Sequence, residues 1–314
     1  MFSVILPVYN GERYIDDAVE SALKQRERDW ELIIINDGST DGTGRALEKY
    51  KSLPRIKIIA QKNLGVSAAR NRGIAASSGD YIAFLDADDV WSEDHLEVMR
   101  DMIEKYPDAG LYGSFTRTEL VNGDTIEECN FFKDREETVR LDNFFEEYYK
   151  DSSAKMFTVI TSCVSRQAFD KVGGFRVGCK IGEDLELFLK IAAYFPVVLT
   201  SRATATYRRS NSSATKNVSF DPDWGFFDGA AELYADKEVP EYRKESLKKL
   251  MRWFTMRRCR HYIIDGNKKK AFEHFSEIGS DPKLRKDKLI TFVLMCMPTA
   301  LVRKIFEIRW RGQA

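Results

Sequence analysis

The stretch GDYIAFLDADDVWSEDHL (residues 79–96) joins an apolar run, Tyr81 to Leu85, to three carboxylates, Asp86, Asp88 and Asp89. The apolar run reads as a short buried strand. Unpaired buried carboxylates are costly, so positive charge or water is expected where this strand stops. The candidates are lysine or arginine partners, a metal ion, or solvation at a turn.

Working outward, the first hundred residues alternate strand and helix signals. FSVIL, ELIII and IKIIA are further short apolar strands. Between them, Ile15, Ala18, Val19, Ala22 and Leu23 recur at helical spacing after Asn10, a candidate N-cap. A turn-rich NDGSTDGTG leads to a helix through Ala46, Leu47 and Tyr50, and GVSAARNRGIAAS is an Ala-rich helix. Ser92 is placed to cap another. Four apolar strands separated by helices predict an α/β fold with a parallel sheet covered on both faces.

Further along, AGLYGSF (109–115) reads as a strand and Asn122-Gly123 as a hairpin turn. LDNFFEEYY reads as a helix and TVITSCVS as a strand. IGEDLELFLKIAAYF reads as an amphipathic helix, followed by the strand-like PVVLTSRATATYRR. From about Asp221 the pattern is mostly helical. Neither repeats nor a low-complexity linker occur, which predicts one compact body.

The chain has 314 residues, 43% of them hydrophobic and 31% charged, the balance of a globular protein with a substantial core. Its five cysteines (129, 163, 179, 259 and 296) are scattered, with no C-x-x-C pair. That argues against a disulfide framework or a zinc site and fits a reducing compartment. MFSVILPVYN has no basic segment before its apolar residues, so no signal peptide is expected. No apolar run reaches the roughly 18 residues of a membrane span. The net charge is zero but uneven. Residues 241–314 carry 19 Lys+Arg against 8 Asp+Glu, and residues 1–240 carry 30 against 41. A basic surface for an anionic partner and a solvated helical face both fit. No nucleic-acid-binding module is recognisable, so nucleic acid is not an expected partner.

In open α/β sheets ligands bind beyond the carboxyl ends of the strands. There the chain places Pro7-Val8-Tyr9-Asn10, Asn36-Asp37-Gly38 and Asp86-Ala87-Asp88-Asp89, with Arg70 and Asn71 on the helix after the third strand. A dinucleotide site is disfavoured. GTGRAL has Leu47 where a third glycine belongs and follows the second strand, and Asp37 would face the pyrophosphate. No G-x-x-x-x-G-K-[ST] occurs either. For Asp86 and Asp88, a hard divalent cation shared with substrate phosphates is one reading. A charged helix start before Ser92 is the other, and the residues alone leave both open.

SVILPVYNGERYIDDAVESAL, WELIIINDGSTDGT, NLGVSAARNRGI, GDYIAFLDADDVW and, later, VGGF and GEDLELFLKI resemble the family 2 glycosyltransferases. The resemblance is dense from Phe2 to about Met99 and patchy to about Ser213. It implies a GT-A fold: a Rossmann-like, mostly parallel sheet flanked by helices. It implies a nucleotide-sugar-binding half at 1–105, an acceptor-binding and catalytic half at 106–220, and a helical basic region at 221–314. It further implies that Pro7, Val8 and Tyr9 form the nucleobase platform, with Glu12, Asp37 and Arg70 in the nucleotide site. Asp86 would hold the ribose, and Asp88 would bind Mn²⁺ or Mg²⁺ bridging the diphosphate. The catalytic base would lie in Glu183-Asp184, at Asp184, with Glu183 beside it. Acidic residues at a helix start are also ordinary on macrodipole grounds.

The implied activity is inverting, metal-dependent transfer from a nucleotide-diphosphate sugar, UDP-linked, to a glycan or lipid-linked acceptor in bacterial surface polysaccharide synthesis. The alternative is a nucleotide-sugar-binding protein without turnover. A nucleotidyltransferase would need a Gly-rich, Lys-bearing N-terminal loop that is missing. TYRRSNSSAT has Ser210 where the family often carries histidine, leaving Arg208 and Arg209 as weak substitutes. KLMRW (249–253) resembles the Q-x-x-R-W of processive synthases but has Lys249 in place of Gln, so single additions are expected. The expected location is cytoplasmic, with peripheral contact at the inner face of the plasma membrane. The apolar residues Leu289, Phe292, Val293, Leu294 and Met297, set between cations, fit either an interfacial segment on anionic lipid or a core helix.

Overall fold

The computed structural model describes residues 1–120, 122–126, 130–132, 137–150, 157–179, 182–208 and 225–311, the last five of these as backbone. The four apolar runs form β1 (Phe2–Val8), β2 (Trp30–Asp37), β3 (Ile56–Gln61) and β4 (Tyr81–Phe84), all parallel and ordered β3-β2-β1-β4. Every residue of β1 is buried. A strand covered on both faces has no use for alternation, which is why β1, β2 and β4 read as apolar runs, whereas the edge strand β3 is only partly covered, with Lys57 and Ala60 exposed.

The helices α1 (Ile15–Leu23), α2 (Thr43–Leu47) and α3 (Val66–Ala76) cross between these strands, and α4 (His95–Lys105) follows them. Two capping expectations are corrected. Asn10 is not the cap of α1, which starts five residues later. Asn10 instead takes a left-handed backbone, φ 52°, and its Oδ1 accepts the Thr40 N–H at 2.8 Å. The residue before α4 is Asp94, not Ser92; the Ser92 hydroxyl donates to Asp94 Oδ1 at 2.6 Å.

Beyond β4 the sheet is mixed. It continues through β9 (Ser162–Ser165), β6 (Leu111–Glu119) and β10 (Val197–Arg208) to β5 (Val90–Trp91). β9 runs antiparallel to β4 and β6, whereas β10 is parallel to β6. The Asn122-Gly123 turn closes a hairpin between β6 and β7 (Thr125–Ile126), and β8 (Thr138–Leu141) pairs with β10. The two-residue β5 gave no sequence signal. It matters because its pairing with Ala205 and Thr206 folds the Asp86–Asp89 segment into a tight turn.

α5 (Phe144–Lys150), α6 (Arg166–Val172) and α7 (Glu183–Tyr194) cover this second part. Next come α8 (Phe226–Ala235), the 25-residue α9 (Glu241–Asp265), α10 (Lys268–Phe275), α11 (Arg285–Cys296) and α12 (Thr299–Arg311). One core runs from Phe2 to Leu284, and a smaller one joins α9, α10, α11 and α12. The four described cysteines are free thiols, and Cys129 lies outside the described residues, as do Arg209 and Ser210. No helix among the described residues is long and apolar enough to cross a membrane.

Candidate active site

A cavity of about 550 Å³ opens at the carboxyl ends of β1, β2 and β4. Pro7, Val8 and Tyr9 line one wall, Asp37 a second, and Asp86, Ala87 and Asp88 a third. The Tyr9 side chain is 51% exposed, leaving its ring open to stack on a planar group. Glu12 is not among the lining residues. Its carboxylate accepts the Gly42 N–H at 3.1 Å and clasps the loop after β2.

Asp37 ends β2 almost fully buried. Its Oδ1 accepts Gln61 Nε2 at 2.7 Å and the Leu64 N–H at 2.9 Å, and its Oδ2 accepts the Gly65 N–H at 2.9 Å. These bonds shape the turn into α3, so Gly65 and Val66 join the cavity wall. That contribution went unassigned from sequence, although NLG marks the turn. The next residue must be glycine for two reasons. Gly38 has φ +75°, and a Cβ there would lie 2.6 Å from the Asn63 backbone nitrogen.

Arg70 is the centre of charge. It is 3% exposed on α3, and its Nη2 donates to Asp86 Oδ1 and its Nη1 to Glu183 Oε1, each at 2.9 Å. Burial alone would favour the neutral guanidine. Asp86 and Glu183 outweigh it and hold the group more firmly charged than usual. The third nitrogen, Nε, is buried without a hydrogen-bond partner, and the guanidinium lies 5.2 Å from the centre of the Phe175 ring. Sequence placed Arg70 in a nucleotide site; the structure makes it a bridge to the carboxylate 113 residues away.

The same helix anchors the loop before α7. Asn71 Nδ2 donates to the Phe175 carbonyl and Asn71 Oδ1 accepts the Phe175 N–H, both at 2.8 Å. A Cβ on Gly174 would meet Asn71 Oδ1 at 2.3 Å, so AARNRG and VGGF require each other.

Glu183 and Asp184 open α7, with Glu186 in the same turn. Glu186 serves the packing instead, buried and paired with Arg176 and Lys190. Asp184 Oδ1 accepts the Leu185 N–H at 2.7 Å. Burial pushes the Asp184 carboxyl above the usual range, against the pull of Arg70. Burial and then Asp184 push Glu183 in the same direction. Two adjacent acids with raised affinities for protons suit proton transfer.

The three aspartates of the turn play different parts. Asp89 is buried, accepts the Arg208 N–H at 2.9 Å, and is pushed up to about 9 by burial and by Asp86 and Asp88. It ties the turn to the end of β10, where the Arg208 guanidinium pairs with Asp17 at 2.7 Å. Asp88 faces the cavity with no ion pair among the described residues, its own backbone N–H being within reach of its carboxylate. Burial and then Asp86 raise its proton affinity.

A cation would relieve Asp88, so its chemistry fits a hard divalent ion. Among the described residues no group of three or more His, Cys, Asp or Glu side chains is placed to hold a metal. Asp88 could supply only part of a ligand set, which phosphate oxygens and water would have to complete for Mg²⁺ or Mn²⁺.

The family model described as Glycosyl transferase family 2 matches residues 3–173, more than half of the chain. Glycosyltransferase GlyA of Streptococcus pneumoniae serotype 4 is 30% identical over 222 residues, 68% of this chain and 31% of GlyA. The Escherichia coli protein UDP-Glc:alpha-D-GlcNAc-diphosphoundecaprenol beta-1,3-glucosyltransferase WfgD is 35% identical over 127 residues, 40% of this chain and 49% of WfgD. The matched stretch thus spans less than half of either relative. The structure of S. aureus TarS 1–349 in complex with UDP-GlcNAc covers 98% of this chain and 91% of its own. Its TM-score is 0.73 at 18% identity, a likeness of fold. By its sequence motifs, its family match and its architecture, the chain belongs to glycosyl transferase family 2 and has the GT-A fold.

Proposed function

We propose that this protein transfers a single sugar, with inversion, from a UDP-linked donor to a hydroxyl of a glycan or lipid-linked acceptor in bacterial surface polysaccharide synthesis. The observation that carries the reading is the Arg70 bridge from Asp86 to Glu183, which makes donor-side and catalytic carboxylates one rigid unit. The donor names of WfgD and of the TarS complex support UDP. Residues 1–105 would hold the donor, 106–220 the acceptor and the base, and 221–314 the basic helical region.

In this mechanism Tyr9 stacks on the nucleobase and Asp37 offers the lone pair of Oδ2 that its backbone bonds leave over. Asp86 accepts from the ribose with the oxygen not spent on Arg70. Asp88 would hold the divalent ion, which anchors the diphosphate and offsets its developing charge. Asp184 takes the proton of the acceptor hydroxyl as that oxygen bonds to the anomeric carbon. The bond to the diphosphate breaks on the opposite face, and its electron pair leaves with the nucleoside diphosphate. Glu183 is already committed to Arg70, which favours Asp184 as the base.

Asp88→Ala tests the donor site. Loss of outer-shell groups at metal sites costs about 10–100-fold, so a direct ligand should cost at least about 100-fold in UDP affinity with Mn²⁺. Uridine affinity should barely change. Calorimetric titration of the unmutated protein with UDP gives the check: equal affinity with and without Mn²⁺ removes the assignment.

We also propose that α11 and α12 rest on an anionic membrane at the cytoplasmic face. Leu289, Phe292 and Val293 are 63%, 46% and 49% exposed, while Thr291, Leu294 and Met295 turn inward. Leu301 and Ile305 extend the outward stripe, bordered by the exposed Arg285, Lys286 and Lys304. A core helix would bury that stripe. Each cation near such a surface contributes about 1 kcal/mol, and the apolar stripe adds insertion area. Co-sedimentation with vesicles of anionic lipid should exceed that with neutral lipid, and Leu289→Asp with Phe292→Asp should abolish it. Equal recovery with both lipids rejects the proposal.

A further inference from the structure

We propose that the acceptor carries a phosphate ester close to its attacking hydroxyl, and that Arg257 on α9 receives it. The inference rests on Asp184 being the base, and it concerns a surface that the donor cavity does not include.

The placement follows from a short chain of contacts. A Cβ on Gly182, the residue before Glu183, would lie 3.7 Å from Phe226 Cδ1. The Phe226 ring packs 4.8 Å from that of Phe254 on α9, and Trp253 sits beside it. Tyr148 of α5 closes the cluster, 6.5 Å from Trp253 and 6.1 Å from Phe254. Burial raises the Tyr148 hydroxyl, and the charges of both Arg257 and Asp184 act on it. Phe226 of α8 therefore links the start of α7 to one turn of α9.

Arg257 differs from three ion-paired arginines of the chain. Arg70, Arg176 and Arg260 are each ion-paired, to Asp86 and Glu183, to Glu186, and to Asp287. Arg257 has no carboxylate partner among the described residues. Its guanidinium rests instead on the Trp253 ring, 4.8 Å from the centroid. An aromatic face orients the fork without using its N–H donors, so all five remain for a ligand. Arg257 is exposed, and the nearby Arg260 adds like charge, so an anion there is favoured. His261 adds none: burial and Arg257 push it down to about 4, so it is neutral at pH 7. A planar guanidinium matches the paired oxygens of a phosphate better than a lone hydroxyl does.

The test uses calorimetry on protein saturated with UDP and Mn²⁺, which fills the donor site. The probes are α-D-GlcNAc 1-phosphate and glycerol 3-phosphate, with GlcNAc and glycerol as neutral controls. Phosphate esters should bind at least about tenfold tighter than their neutral counterparts, the scale of one charge-assisted contact. Arg257→Gln should remove that preference, Arg257→Lys should keep part of it, and UDP affinity should stay unchanged in both. A preference that survives Arg257→Gln, or none in the unmutated protein, overturns the proposal. Failure of UDP itself to bind would instead strike at the proposed function. Two further probes separate the sources of the phosphate. A GlcNAc-diphosphate-farnesyl conjugate binding better than a glycerol phosphate oligomer points to a lipid-linked acceptor, and the reverse order points to a phosphodiester polymer. Either order supports the anionic subsite.

Discussion

Asp184→Asn is expected to lower the transfer rate by about 10²–10⁴ while donor affinity stays within about twofold. The substitution keeps the size of the side chain and the acceptor for the Leu185 N–H. It removes only the capacity to take a proton. The donor cavity is lined by other residues, so UDP binding has no reason to move. Glu183→Gln should be milder, because it weakens an ion pair to Arg70 without removing the base. The pH profile gives a second readout. A base must be deprotonated to act, and burial raises the Asp184 carboxyl. Activity should therefore fall as pH drops through a value above the ordinary carboxylate range. Single-turnover rates and UDP affinities of both variants check this. Near-unmutated transfer by Asp184→Asn, or a dead Glu183→Gln with an active Asp184→Asn, would show that the base is not Asp184.

Arg70→Leu is expected to destabilise the fold by about 3–5 kcal/mol, the usual result of stripping one partner from a buried ion pair. Asp86 and Glu183 would face each other, and Asp88 and Asp184, without the cation that now separates them. The sign of the pH dependence follows. Arg70 now pulls the Glu183 carboxyl down, so losing the cation lets it rise further, and protonation then relieves the repulsion. The stability deficit should accordingly shrink as pH falls towards the ordinary carboxylate range and widen as it rises. Urea unfolding at two pH values measures this, with a shifted midpoint at unchanged slope. A deficit under about 1 kcal/mol at pH 7.5, below the range for a broken buried pair, would mean that the bridge is not what holds the two halves of the site. Arg70→Lys should recover part of the loss, since it keeps the charge but not the two-armed fork.

Much of this was legible in the chain. FSVIL, ELIII and YIAFL were legible as strands because parallel strands covered on both faces are largely apolar, and IKIIA, at the sheet edge, keeps an exposed Lys57. The acidic turn at 86–89 was legible because so much charge rarely follows a buried strand without a partner or a ligand to receive it. The Glu183-Asp184 helix start was legible from apolar residues at helical spacing beyond it. Two expected caps failed for one reason: Asn10 and Ser92 are polar at a plausible position, but other partners, such as Thr40 for Asn10, recruit them elsewhere. The two-residue β5 carried no pattern, because a strand that short is defined only by its partner, β10.

Sequence by itself determined the parallel half of the sheet, the family and the placing of the candidate carboxylates at a strand end and a helix start, because each rests on short stretches of chain. Tertiary structure alone decided how those groups are connected. Only folding shows that Arg70 joins Asp86 to Glu183, that Asp89 holds the backbone of Arg208, and that α11 turns Leu289 and Phe292 outward. The Arg70–Glu183 and Asp89–Arg208 partnerships each span more than a hundred residues, and the outward face of α11 depends on which side of the helix its neighbours cover. Local periodicity carries neither kind of information; packing does.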